Sequence, residues 1–320
     1  MAGLRLRLAT WRKTPGPPVS VTSIACMWLS CPGMKLARPD VFHPRVVLAG
    51  WPQQPAGDGD DAGLVAALRH RGLHAGWLSW DDPEIVHADL VILRATRDYP
   101  ARLDEFLAWT TRVANLLNSR PVVAWNVERR YLRDLMDRGV PTVPGEVYVP
   151  GEPVRLPRKG QVFVGPTIGT GTRRCSARFA AEFVAQLHAA GQAVLVQPGG
   201  SGDETVLVFL GGEPSHAFTK QADTWRQTEP DFEIWDVGAA AVAGAAAQVG
   251  VDPGELLYAR AHITGGSRDP RLLELQLVDP SLGWQWLDPD IRNLAQRDFA
   301  LCVQSALERL GLGPFSHRRP

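Results

Sequence analysis

The chain has 320 residues, 45% hydrophobic and 21% charged, enough for two or three packed lobes, each with a core. Its 34 basic residues balance 34 acidic ones, which argues against a nucleic-acid surface, and no run reaches the ~18 apolar residues of a membrane span. Four cysteines (Cys26, Cys31, Cys175, Cys302) without CxxC spacing point to a reduced, cytoplasmic protein.

Residues 1–43 have a basic start and a short, weakly apolar middle that Pro-Gly-Pro-Pro interrupts, a poor signal sequence. They read as a flexible extension, or as chain upstream of a start at Met34. Order begins at the β-branched run RVVLAG (Arg45–Gly50). The helical run DDAGLVAALRHRGL follows, with Leu64, Ala67 and Leu68 in phase and Gly72 as its stop. HAGWLSW and DLVILRAT read as strands, ARLDEFLAWTTRVANLLN as an amphipathic helix, PVVAWN as another strand and VERRYLRDLMDRG as a helix. Such alternation predicts a Rossmann-like domain with an open, mostly parallel sheet over residues 44–125.

The pattern then changes. QVFVGPTIGTGTRR is a strand running into a Gly/Thr loop, and RFAAEFVAQLHAAG is a helix. AVLVQP, ETVLVFLGG and PSHAFTK read as antiparallel strands. An Ala-rich helix (Gly238–Val249) precedes the strands LLYARAHI and LLELQLVDP, and an amphipathic helix runs from about Asp290 to Leu310. The fold class expected is α/β plus α+β.

Two strands are odd. Side chains alternate along a strand, so Tyr258, Arg260 and His262 share one face of LLYARAHI. In LLELQLV, Leu273, Leu275 and Leu277 oppose Glu274 and Gln276. If the two strands pair across TGGSRDPR, one sheet face carries Arg260, His262, Glu274 and Gln276, a set suited to metal and phosphate. The bland alternative is an exposed face whose Arg–Glu pair contributes little. GPTIGTGTRR offers backbone N–H groups, hydroxyls and two arginines to a phosphate, yet lacks Walker A and dinucleotide spacing. The cluster GDGDD (Gly57–Asp61) has no Glu at the twelfth position of a calcium loop and reads as a helix cap.

In order, WDDP, DLVILRATRDY, EFLAW, LLN, WNVERRYL, GVPTVPGEVYV, GPTIGTGTRR, VQP, GDETVLVF, SHAFTK, YARAHI and LELQLVDPSL resemble the ATP-grasp family, in particular its glutathione-synthetase-like branch, over about Val46–Leu310. The resemblance implies a Rossmann-like domain followed by two α+β lobes, a small one over 126–193 and a large one over 194–312, with a tail over 313–320. It also implies ATP held between the lobes and Mg²⁺ on its phosphates. A substrate carboxylate would form an acyl phosphate that an amine then opens. Glu274 matches the metal carboxylate, Gln276 stands where Asn or Glu is usual, and Arg260 matches a residue near the transferring group. The backbone at Val196 and Gln197 would meet adenine, Asp203 stands where Glu is usual, and Lys220 lies in a matching segment.

Departures are as telling. Gly165 stands where the family has a phosphate-neutralising Lys, His262 where it has a metal-binding Asp, and Arg129 where it has another nucleotide-facing Lys. Arg173 or Arg174 are candidates to compensate at the phosphates. Two functions follow. One is an ATP- and Mg²⁺-dependent ligase of a small carboxylate and an amine. The other is a degenerate relative without ligase activity that binds a nucleotide or a partner. Homo-oligomerisation stays open in both.

Overall fold

A computed structural model of the chain describes residues 43–313 except 58, 158, 200–203 and 222–223. The expected extension and tail, with Cys26, Cys31 and Met34, therefore lie outside the described residues, apart from His43 and Gly313.

Strands β1 (Arg45–Gly50), β2 (His74–Ser79), β3 (Leu90–Ala95) and β4 (Leu116–Leu117) form a parallel sheet in the order β2-β1-β3-β4. The residues of β3, and of β1 beyond Arg45, are buried, as expected of a sheet covered on both faces. Helix α1 (Leu64–His70) gives way to Gly72 at φ +76°, a conformation that favours glycine. Helix α2 (Leu103–Thr110) stops eight residues short of Asn118, the end predicted for it. The hydroxyls of Thr110 and Thr111 bond back to Leu107 and Ala108 O, and Leu116–Leu117 leaves to pair with β3. PVVAWN is not a strand. Pro121 sits in the first turn of helix α3 (Arg120–Asn126), where its fixed φ suits a helix start, and Val122, Val123 and Asn126 are buried.

After α4 (Tyr131–Asp137), strands β5 (Glu146–Tyr148), β6 (Gln161–Pro166), β7 (Arg173–Ser176) and β8 (Val194–Gly199) make an antiparallel sheet in the order β5-β8-β6-β7. Helix α5 (Ala177–Ala189) packs on it through Ala180 and Val184. The small lobe does not end at residue 193, because β8 fills the place between β5 and β6.

Strands β9 (Glu204–Leu210), β10 (Glu213–Gln221), β11 (Thr224–Thr228), β12 (Tyr258–Thr264) and β13 (Arg271–Gln276) form a second antiparallel sheet, β11-β10-β9-β12-β13. Helix α6 (Phe232–Val249) starts six residues before Gly238 and ends at Gly250, φ +74°. Helix α7 (Pro289–Arg309) joins the Rossmann-like domain and the large lobe in one core, where Val46, Leu48, Leu64 and Leu68 cluster with Val208, Trp284, Phe299 and Val303.

The alternation predicted for LLELQ is broken once. Register runs His262↔Glu274 and then Ile263↔Leu272, so Leu273 is an extra residue, a β-bulge. Leu272, Leu275 and Leu277 pack in the core with α6, whereas Leu273 packs against Val143 and Phe163.

Candidate functional site

The hairpin β12–β13 brings four polar side chains together, as its register requires. Arg260 lies across from Gln276 and His262 across from Glu274. Gln276 Nε2 donates to Glu274 Oε1 at 2.8 Å, and Arg260 Nη1 donates to Gln276 Oε1 at 3.2 Å. Glu274 is 4% exposed. Burial alone would raise its pKa, but Arg129, Gln276, His262 and Thr172 outweigh that and hold it below the usual carboxylate range. Arg260 is pushed down by burial, with Glu274 and Asp60 pulling it back up.

Two further elements close on Glu274. Arg129, between α3 and α4, is 4% exposed, and its Nη2 donates to Glu274 Oε1 at 2.9 Å. Its Nε and Nη1 are buried without a partner in the protein. The Gly/Thr loop between β6 and β7 brings the Thr172 hydroxyl to Glu274 Oε2 at 2.9 Å. Gly165 makes room for this approach, because a Cβ there would lie 3.0 Å from both Cα and Oγ1 of Thr172. Only about 10 Å³ of space remains beside Arg129, Glu274, Gly169 and Thr170.

The other predicted residues divide. Gln197 faces a cleft of about 540 Å³ bounded by Pro144, Tyr148, Val162 and Pro198. Its side chain serves the fold, since Nε2 donates to Val143 O (3.0 Å) and Leu273 O (3.4 Å). Arg173 is turned away from Glu274. It stacks over Phe183 of α5 at 4.3 Å, because alternation along β7 gives the opposite face to Arg174. Arg174 Nη1 lies 3.8 Å from Glu204 Oε1, and His262 Nε2 lies 3.1 Å from Glu204 Oε2. Lys220 is exposed on β10, and its charge helps to hold Glu204 below the usual carboxylate range. Asp203 lies outside the described residues. Glu204, its neighbour, is the acid that meets His262, a role that pattern reading missed.

GDGDD does not cap α1, whose N-cap is Gly63 without a side-chain bond. Asp61 instead takes a two-bond pair from Arg94 (3.1 and 3.0 Å) and a bond from Trp284 Nε1 (2.9 Å). Asp60 accepts from Ser281 Oγ and Gln285 N. Asp279 accepts from Thr96 Oγ1 at 3.3 Å. These groups stand beyond the carboxyl ends of β1 and β3, where open α/β sheets bind ligands. The acid cluster in the loop that follows a predicted strand was the available signal.

The donor set does not suit Mg²⁺, which seeks several hard oxygen ligands. Glu274 is bonded through both oxygens, the Gln276 oxygen is taken by Arg260, and His262 faces Glu204. Arg129 donates to Glu274 and Arg260 to its partner Gln276, and the second carboxylate, Glu204, is met by His262 and Arg174. Among the described residues no group of three or more His, Cys, Asp or Glu is placed to hold a metal ion. A nucleotide suits the site better: the unused donors of Arg129 can take a phosphate, and the cleft beside Gln197 has room for a base.

The family described as "D-cycloserine synthetase DcsG, N-terminal domain" matches residues 46–118. The cycloserine biosynthesis protein DcsG of Streptomyces lavendulae is 30% identical over 277 residues, spanning 75% of this chain and 92% of that one. The crystal structure of D-cycloserine synthetase DcsG is 29% identical with a TM-score of 0.68, covering 83% of this chain and 99% of its own. D-alanine–D-alanine ligase of Bacillus anthracis, solved with ATP, shares the fold at 11% identity and TM-score 0.61, over 83% of this chain and 98% of its own. The ATP-grasp ligase PsnB, solved with a minimal precursor, Mg and ADP, does so at 19% and 0.53, over 81% and 98%.

Proposed function

This chain belongs to the ATP-grasp ligase family, as DcsG does, and we propose that it joins a small carboxylic acid to an amine through an acyl phosphate. The observation that carries this reading is the register-locked face of Arg260, His262, Glu274 and Gln276 beneath the Gly/Thr loop, with Thr172 on Glu274. On this reading adenine occupies the cleft beside Val196 and Gln197, and its phosphates run under the loop towards Arg129. A substrate carboxylate oxygen takes the γ-phosphoryl group and ADP leaves. The amine nitrogen then forms the C–N bond, the acyl C–O bond breaks as inorganic phosphate departs with its electron pair, and the amine gives up a proton. Arg260 stabilises negative charge on the transferring group. The relatives named for cycloserine and for D-alanine support an amino-acid-like substrate, seated beyond β1 and β3 near Asp60 and Thr96.

The test is ATP consumption with a panel of amino-acid and amine pairs. ADP and phosphate should appear in equal amounts only with a matching pair, and Arg260→Met should lower kcat by about 100-fold or more. Nucleotide that binds but is never consumed, across the panel, would favour the non-catalytic relative.

A further inference from the structure

The charge around Glu274 has a direction. A lone buried carboxylate would attract a cation, but this one is met by Arg129 at 2.9 Å, and Arg260 stands beside its partner Gln276. Arg129 and Arg260 together carry more positive charge than Glu274 cancels. Glu274 Oε1 accepts two hydrogen bonds and Oε2 one, so a metal would find a single lone pair on Oε2 and enter beside two cations. Both guanidinium groups would repel such a cation at close range. Arg129 keeps the opposite need. Its Nε and Nη1 are buried without acceptors, and desolvated donors of a charged group are costly to leave unpaired. Arg129 lines, with Gly169 and Thr170, the space of about 10 Å³, which must widen to admit a phosphate. Imidazole at 262 adds no hard oxygen.

We infer that this site takes the phosphates of its nucleotide on the guanidinium groups of Arg129 and Arg260, in place of a divalent cation held by the protein. Nucleotide binding is then indifferent to Mg²⁺. The inference rests on the ligase reading, in which the bound anion is ATP. It gives the substitutions a joint logic: a histidine and an amide replace metal anions where an arginine already holds the remaining carboxylate. Glu274 acts in this scheme as a positioning residue, fixing one edge of Arg129 so that the other faces the phosphate.

Calorimetry of the full chain with ATP, once in EDTA and once with excess Mg²⁺, reads this directly. Dissociation constants agreeing within about threefold are expected, since the charge-assisted bonds come from the protein. Arg129→Met should weaken binding in EDTA by about tenfold to a hundredfold, the worth of hydrogen bonds to a charged group. Glu274→Gln, which keeps an acceptor for Arg129 and removes no cation, should weaken binding in EDTA by less than Arg129→Met does. Thermal melts of both variants establish that they fold, and the wild-type comparison needs neither. Binding that appears only with Mg²⁺ and vanishes in Glu274→Gln overturns the inference while leaving the ligase reading intact. No ATP binding in either buffer removes both.

Discussion

Asp279 is held against two opposing demands. Its backbone sits at φ +50°, a region a non-glycine residue enters at a cost of roughly 1 kcal/mol or more. Its carboxyl accepts from Thr96 across the junction of the Rossmann-like domain and the large lobe. Burial pushes its pKa up to about 7, with Arg94 pulling down and Asp61 pushing up. A carboxyl whose folded pKa exceeds its unfolded value binds more protons when folded. Its contribution is therefore full below about pH 4 and is lost as the pH rises to about 7. His216 runs the other way. Burial pushes it down to about 4, although Leu282 O accepts from it at 2.8 Å, so its contribution is lost as pH falls from the ordinary histidine value of about 6.5. The two slopes offset each other between about pH 4 and 6.5. Asp279→Asn removes one of them. Its urea midpoint, relative to wild type, should be higher at pH 8 than at pH 5, and its own stability should rise more steeply across that range. A difference from wild type that is the same at both pH values would show that Asp279 does not titrate between them.

At the scale of elements, the hairpin β6–β7 shows how one missing side chain shapes a loop. Gly165→Ala places a Cβ 3.0 Å from Thr172, which must give by a few tenths of an ångström and so weaken its bond to Glu274. The loop over residues 167–172 should exchange its amide protons faster, with global stability falling by only about 1 kcal/mol, the worth of one hydrogen bond. Thr172→Val should reproduce the faster exchange without a clash. Unchanged exchange in both variants would show that Thr172 does not fasten the loop. Much at this scale was legible in the chain. Alternation along YARAHI and LELQ located the polar face because the two strands are joined by a hairpin and their register is local. What alternation could not supply is longer in range. The bulge at Leu273 answers packing from Val143 and Phe163, and Arg129 meets Glu274 from 145 residues away. Pro121–Asn126 is apolar enough for a strand, but Leu116–Leu117 already fills the place beside β3, and the proline suits a helix start. Only Asp60 and Asp61, standing after a strand, carried a sign of their true setting that a local helix-cap reading passed over.

Across the whole molecule, the Rossmann-like domain and the large lobe are tied by two asparagines that share one residue. Asn118, fully buried at the end of β4, donates from Nδ2 to Tyr258 O and Leu277 O, both at 2.9 Å, and accepts from Leu257 N at 2.7 Å. Asn126 on α3 donates to Leu275 O at 3.0 Å and accepts from Leu277 N at 2.7 Å. Leu277 thus has its carbonyl held by one asparagine and its amide by the other, just past the strand that carries Glu274 and Gln276. Asn118→Ala leaves three buried backbone groups without partners, and a loss of about 2–5 kcal/mol is expected. Asn126→Ala leaves two, for about 2–3 kcal/mol. Because α7 and its neighbours bury one continuous core across the Rossmann-like domain and the large lobe, each variant should still unfold in a single transition, at lower denaturant. The double variant should lose less than the sum, since once one asparagine is gone Leu277 can move and find water, and partners in contact couple by roughly 0.5–3 kcal/mol. Urea denaturation of the four proteins measures this coupling. Strict additivity would mean that the end of β13 is held rigidly by packing alone, and that the asparagines satisfy the backbone without setting where the polar face points.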